Sequence, residues 1–219
     1  SNQDGLLLDI LLTIPDNEPK AIVQFAHGMS EYKERYLPLM EYLSNNDYVC
    51  IINDHRGHGK SVKNEHDLGY FYENGGSALV EDLHQITEMI KKEYEGLPLY
   101  LFGHSMGSMA VRVYSKKYDN EISGLIVCGS PSNNPAAGVG RAIVRIIGAV
   151  KGENYKSKLC ERLFMGSFNK KYKSEGSTFA WLSANPQNVS SYESNPLCGF
   201  EFTVNGYKAL LWLMSETYG

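Results

Sequence analysis

Ser105 stands between Gly103 and Gly107 in LPLYLFGHSMGSMAVRVYSKKY, residues 97–118, where an apolar run gives way to a helical pattern. A serine hydroxyl becomes a useful nucleophile only when a turn presents it and a base takes its proton. The two glycines answer the first need: a strand-turn-helix elbow brings backbone and helix too close together for side chains at 103 and 107. The same turn aims Oγ of Ser105 out of the sheet and leaves the Met106 N–H at a helix N-terminus, where an oxyanion can be stabilised. A G-x-S-x-G match is cheap by itself, and the strand before this one and the helix after it are what raise its weight.

A second oxyanion donor is expected in the loop that follows the strand KAIVQFA, where Gly28 and Met29 open QFAHGMSEYKERY. The Met29 N–H is the better candidate; alone, the His-Gly pair would read as an ordinary strand-ending turn. Gly28, Met29, His104 and Met106 together should border the bound substrate. The base is harder to find, because all six histidines (His27, His55, His58, His66, His84 and His104) precede Ser105. His104 is a neighbour on the same tight turn, with its ring directed away from Oγ. His27 can border the site but is a poor general base, and Asp119, the only aspartate after the serine, reads as solvated surface at a helix end.

These residues need a scaffold. LLLDILLTIP, KAIVQFA, YVCIIND, LPLYLFG and ISGLIVCGS read as strands; YLPLMEYLSNN, SALVEDLHQITEMIKKEY and SMAVRVYSKKY read as helices. That alternation predicts an α/β domain with a mainly parallel sheet covered by helices on both faces. After Pro131 the rhythm stops. Residues 131–205 hold short helical pieces, GRAIVRIIGAV, SKLCERLFMG and TFAWLS, between Asn, Gly, Ser and Pro breakers, and no strand pattern returns before about Gly206. The expected division is a core of residues 1–130 and 206–219 with a helical cap at 131–205. VNGYKALLWLMSE resumes as a helix, with Asn205 as its expected N-cap.

Composition narrows the function classes. The chain has 219 residues, 42% of them hydrophobic and 21% charged, with a formal net charge of −4. That is enough to bury a core and gives no electrostatic footprint for nucleic acid. The basic cluster NKKYK at 169–173 reads as solvated surface. The absence of a signal-peptide pattern argues against secretion in this form, and no apolar segment is long enough to span a bilayer. Cys50, Cys128, Cys160 and Cys198 are far apart and read as reduced structural thiols, two of them in buried strands. No cofactor or metal is expected: there is no phosphate-cradling glycine loop, and Gly57 and Gly59 make HRGH a loop rather than a ligand-bearing helix.

Four segments together resemble a known family. HGMSEYKERY, DHRGHGKS (54–61), GHSMGS (103–108) and WLSANPQNVSSYESNPLCGFEFTVNGY (181–207) are similar, in order and at suitable spacing, to the monoacylglycerol lipase and lysophospholipase branch of the serine α/β-hydrolases, the serine aminopeptidase S33-like group. The resemblance implies the α/β-hydrolase fold, Ser105 as nucleophile, Met29 and Met106 as oxyanion donors, and a cap at 131–205 that shapes an acyl tunnel. It implies that Asp54, Arg56 and His58 fix loop structure rather than do chemistry.

In this family the acid and the histidine follow the serine, after a seventh and an eighth strand. The sequence reads as six strands of those eight, so the expectation is a chain that lacks its last two strands and, with them, the catalytic Asp and His. The missing part would be roughly 40 to 60 residues. The function expected on this basis is a serine esterase or lipase cleaving lipid-like esters through an acyl-enzyme. Its setting would be cytoplasmic, with transient membrane contact through the apolar cap. Two alternatives stay open: a peptidase or small-ester hydrolase on the same scaffold, and an acyl-binding protein without turnover.

Overall fold

In a computed structural model, the backbone of residues 1–219 is described, with every side chain except that of Lys173, so the Lys173 part of the basic cluster at 169–173 lies outside the described residues. Five strands form one sheet in the order β1-β3-β2-β4-β5: β1 (Ile10–Thr13), β2 (Ala21–Ala26), β3 (Tyr48–Asn53), β4 (Leu99–His104) and β5 (Gly124–Cys128). Every pairing is parallel except β1 with β3, where Ile10 faces Asn53 and Thr13 faces Cys50. The carboxyl ends of β2, β3 and β4 therefore lie side by side, and that edge is where an open α/β sheet presents its ligand-binding loops.

Five strands form where six were expected, and residues 6–15 yield the one short strand β1. The reason is the use of backbone groups: the Asp9 N–H donates to Ser61 Oγ at 2.9 Å, and the Asp9 carbonyl accepts from the Asp54 N–H at 2.9 Å. Those groups are spent on the loop after β3 and cannot form another ladder.

The strand sequences explain their depth. All six residues of β2 (AIVQFA) are buried, including Gln24, whose Nε2 donates to the Leu83 carbonyl at 2.8 Å and whose Oε1 accepts from Thr87 Oγ1 at 2.6 Å. A polar side chain is tolerated there because both ends of its amide are satisfied. Helices α2 (Gly75–Glu93) and α3 (Met106–Tyr118) cover one face, and α1 (Leu37–Ser44) covers the other with Met40 buried beside Val23, Phe25, Cys50 and Ile52.

Strand β5 is an exposed, apolar edge of the sheet, as the sequence reading expects of its last strand. In β5, Leu125, Ile126 and Val127 are 36%, 46% and 42% exposed, and Cys128 is exposed where a buried strand thiol was expected. Apolar composition wrote a central strand, but no neighbour lies beyond β5 among the described residues. Cys50, Cys160 and Cys198 are buried, and all four thiols are free.

After β5 the chain forms α4 (Ala137–Lys151), α5 (Lys158–Met165), three single-turn 3-10 segments and α6 (Pro186–Ser194). TFAWLS gives only a 3-10 turn over Ala180–Leu182. Helix α6 was not legible from hydrophobic periodicity, because it is largely polar; its signals are local, Asn185 capping the Gln187 N–H at 2.9 Å and Pro186 in the first turn. Helix α7 (Val204–Tyr218) then packs between α2, α3 and α4. Its N-cap is Thr203, whose Oγ1 accepts the Gly206 N–H at 3.2 Å, and not Asn205. The Asn205 amide is engaged elsewhere, accepting from the Phe71 N–H at 2.7 Å and donating to the Tyr72 carbonyl at 2.9 Å, so it ties α7 to the loop before α2.

Candidate active site

Ser105 occupies the turn between β4 and α3 with φ 51° and ψ −115°, a conformation that costs a non-glycine residue about 1–3 kcal/mol and persists only when its surroundings impose it. The surroundings do so. The Ser105 N–H donates to the Cys128 carbonyl at 2.9 Å, and the Ser105 carbonyl accepts from the Ser108 N–H at 3.0 Å and from the Ser108 hydroxyl. A Cβ on Gly107 would collide with the carbonyl oxygens of Ala26 and His27, and one on Gly103 would lie 2.5 Å from both the Gly107 carbonyl oxygen and Val111 Cγ2. The glycines thus let α3 press directly against the end of β2.

That close approach brings the loop after β2 to the serine. A Cβ on Gly28 would lie 3.3 Å from Ser105 Cβ, so Gly28, Met29, Ser105 and Met106 share one small region. Met106 is the first residue of α3, with its amide at the helix N-terminus, and Met29 is half-buried against the main core. Among the described residues neither amide donates to a protein acceptor.

Glu31 organises this loop, and nothing in the sequence singled it out. Its carboxylate is almost completely buried and accepts from the Gly28 N–H at 2.5 Å, the Tyr36 hydroxyl at 3.0 Å and Arg35 Nε at 3.0 Å, with His104 Nδ1 at 3.4 Å. Burial pushes its pKa up, but the His104 ring, the Gly28 amide and Arg35 outweigh it and hold the carboxyl below its ordinary value. The i,i+4 spacing of Glu31 and Arg35 was a visible signal for their ion pair. The turn of the carboxylate back onto Gly28 depends on the bend of the loop, which no local pattern encodes.

His104 therefore turns its Nδ1 toward Glu31, while its Nε2 lies against Gly129. His27, His55 and His58 form a buried cluster beneath the loop, with ring centroids 4.0 Å apart for the tilted pair His27 and His55 and 5.1 Å for the edge-on pair His27 and His58. His27 Nε2 accepts from the His55 N–H at 2.9 Å, which leaves its Nδ1 to donate to the Gly28 carbonyl at 2.8 Å. His58 Nε2 accepts from the Ser30 N–H at 3.2 Å. Burial lowers all three pKa values, that of His58 to about 4, so these rings are neutral supports of the loop. Asp119 is exposed at the end of α3.

The DHRGHGKS segment braces the same region. Asp54 accepts from the Lys33 N–H at 2.8 Å, Lys33 Nζ at 2.9 Å and the Lys60 N–H at 2.9 Å; Arg56, fully buried, pairs with Asp82 at 2.8 Å and Asp4 at 3.0 Å. Chemically, the assembly offers a half-buried serine on a strained turn, with two amides that have no protein acceptor in the same region.

The chain is similar to known proteins. The human monoglyceride lipase is 30% identical over 126 residues, a match covering 58% of this chain and 40% of that one. The monoacylglycerol lipase of Mycolicibacterium smegmatis is 32% identical over 135 residues, covering 60% of this chain and 45% of that one. These matches thus span less than half the length of either relative. Among solved structures, a thermostable carboxyl esterase from Bacillus coagulans in complex with glycerol superposes with a TM-score of 0.88 at 25% identity, covering 96% of this chain and 68% of that one. A soluble variant of the Saccharomyces cerevisiae monoglyceride lipase, in complex with a substrate analog, superposes with a TM-score of 0.71 at 20% identity, covering 98% and 67%, and so shares the fold. The family described as Hydrolase_4, serine aminopeptidase S33, matches residues 17–218, and the chain belongs to that family.

Proposed function

We propose that the protein is a serine hydrolase that cleaves carboxylic esters of lipid-like substrates, monoacylglycerol or lysophospholipid, through an acyl-enzyme on Ser105. The observation that carries this reading is the Ser105 elbow set against Gly28, with the Met29 and Met106 amides free beside it. Ser105 Oγ attacks the ester carbonyl carbon, and the electron pair displaced onto oxygen is held by those two amides. Collapse of the tetrahedral species expels the alcohol and leaves the acyl group on Oγ; water then releases the acid. Gly28 and His104 flank the approach to the serine.

Within residues 1–219 the buried histidines have backbone duties and His104 faces Glu31. The proton acceptor and its orienting carboxylate are therefore proposed to lie outside these residues. Residues 131–205 are proposed as a cap whose apolar pieces shape the acyl pocket and make transient contact with a membrane; the setting is cytoplasmic and membrane-peripheral. No helix among the described residues is long and apolar enough to cross a membrane.

The relatives named as monoglyceride lipases and the carboxyl esterase superposition support ester over amide substrates. The family description as a serine aminopeptidase keeps a peptidase as the second reading. A fluorophosphonate probe applied to the protein as isolated from its source tests the proposal: Ser105 is labelled, Ser105→Ala is not, and monoacylglycerol is turned over in preference to an aminoacyl amide. Preference for the amide favours the peptidase, and an unlabelled Ser105 leaves only acyl binding without turnover.

A further inference from the structure

A peptide group is planar and trans, so its N–H and its C=O point in opposite directions. An amide that is to hold an oxyanion is therefore oriented by whatever holds the carbonyl oxygen of the preceding residue. For the Met106 N–H that oxygen belongs to Ser105, and it accepts from the Ser108 N–H at 3.0 Å and from the Ser108 hydroxyl. For the Met29 N–H it belongs to Gly28, and it accepts from His27 Nδ1 at 2.8 Å. Each proposed oxyanion donor thus sits in a peptide that a side chain grips by its opposite edge.

Ser108 lies in the first turn of α3 and is fully buried. Its hydroxyl bond to the carbonyl three residues back is ordinary helix chemistry. Ser77 Oγ donates to the Asn74 carbonyl at 3.0 Å and Ser115 Oγ to the Arg112 carbonyl at 2.9 Å in the same manner. What sets Ser108 apart is the peptide on which it acts. Ser105 is held at φ 51° and ψ −115°, and its N–H is fixed by the Cys128 carbonyl at 2.9 Å, which secures the φ side of the residue. The ψ side is secured through the carbonyl. Rotation there would turn the Met106 N–H away from the direction it shares with the serine hydroxyl, because ψ sets the angle between that peptide plane and the Ser105 side chain.

We propose that Ser108 is a positioning residue of the hydrolase site: its buried hydroxyl fixes the Ser105–Met106 peptide plane, and through it the direction of the Met106 oxyanion donor, without touching substrate. The proposal deepens the function proposed above and rests on the reading of the Met106 amide as an oxyanion donor.

The time course of Ser105 inactivation by a fluorophosphonate, measured on the whole protein over a range of probe concentrations, tests it. Ser105 Oγ bonds to phosphorus as fluoride leaves, its proton passes to the acceptor proposed to lie outside residues 1–219, and the phosphoryl oxygen takes the place of the oxyanion. The limiting rate therefore reads the amide donors, and the half-saturating concentration reads probe binding. Ser108→Ala is expected to lower the limiting rate about tenfold, less than the roughly hundredfold or more that follows outright loss of a donor. Half-saturation should stay within about twofold. Ser115→Ala is the control, since it removes the same kind of bond from the same helix away from the elbow. Its thermal melt should match that of Ser108→Ala while its labelling rate stays that of the unsubstituted protein.

Equal limiting rates in the two variants overturn the proposal, and so does a change confined to half-saturation. A second readout needs no reactivity: the residual dipolar coupling of the Met106 N–H in weakly aligned, 15N-labelled protein reports its direction. It should change in Ser108→Ala and not in Ser115→Ala, and an unchanged coupling in both overturns the proposal. Where Ser105 of the unsubstituted protein is not labelled at all, the hydrolase reading fails by itself, and the Met106 coupling decides whether Ser108 holds the peptide.

Discussion

The Tyr192 hydroxyl donates to the Ser30 carbonyl at 2.7 Å, across a sequence separation of 162 residues. Ser30 sits one residue after Met29 with φ 53°, a left-handed backbone held by a β-carbon-bearing residue. Two more bonds come from the same returning segment: the Gly199 N–H donates to the Ser30 carbonyl at 2.9 Å, and Ser30 Oγ donates to the Phe200 carbonyl at 2.8 Å. The end of the helical insertion thus clasps the loop that carries the proposed oxyanion donor.

Tyr192→Phe removes one buried bond and should cost about 1 kcal/mol of stability. Its sharper expected effect is local: amide hydrogen exchange at Met29, Ser30 and Glu31 rises several-fold while β2 and β4 are unchanged. A uniform rise over the whole sheet, or none in the loop, would show that Tyr192 does not hold the loop in place.

Glu31→Ala strips the acceptor from the Gly28 amide, the Tyr36 hydroxyl and Arg35 together. Leaving buried donors unpaired is expected to cost about 2–3 kcal/mol. Urea denaturation measures the loss, and a change below the scatter of the method would mean that the loop re-forms around water.

Glycines in two settings should respond in opposite directions. Gly107→Ala drives a methyl group into the carbonyls of Ala26 and His27, a backbone clash expected to cost about 3 kcal/mol or more. Gly138→Ala, on the exposed face of α4 with no neighbour within 4 Å of the added carbon, should be stabilising by up to about 1 kcal/mol. Thermal melts of the two variants side by side decide it; equal effects would contradict the packing at the elbow.

The buried histidines make stability depend on pH with a definite sign. The native His58 pKa is depressed to about 4, so the unfolded chain binds the proton first as pH falls. Stability is full above the unfolded value near 6.5 and is lost as pH drops through that window toward 4. At pH 5, His58 alone should cost about 2 kcal/mol relative to pH 7, and His27 and His55 are depressed in the same direction. Denaturant midpoints measured at pH 7 and pH 5 report this; no decline over that interval would mean that the cluster is already charged or hydrated.

The elbow was legible from residues 97–118 because its cause is local: two glycines, a serine, a strand and a helix within one short stretch. The strands β2, β3 and β4 were legible for the same reason, since apolar runs bounded by turns mark segments buried on both faces. Helix α6 escaped because hydrophobic periodicity is silent on a polar helix. The N-cap of α7 was misassigned because two polar residues two positions apart, Thr203 and Asn205, compete for that role, and only the loop before α2 shows where Asn205 goes.

By itself the sequence determined most of the strands and the longer helices, which residue stands at the sharp turn, and that no histidine lies among residues 106–219. Only the tertiary structure decided what those residues touch. Glu31 reaching back to Gly28, three histidines clustered under one loop and Tyr192 closing on Ser30 are contacts that the tertiary fold brings together. The exposure of the outer stripe of α4 belongs to the same class. Apolar composition states that a surface favours burial, but whether anything covers it depends on the neighbours that the fold supplies.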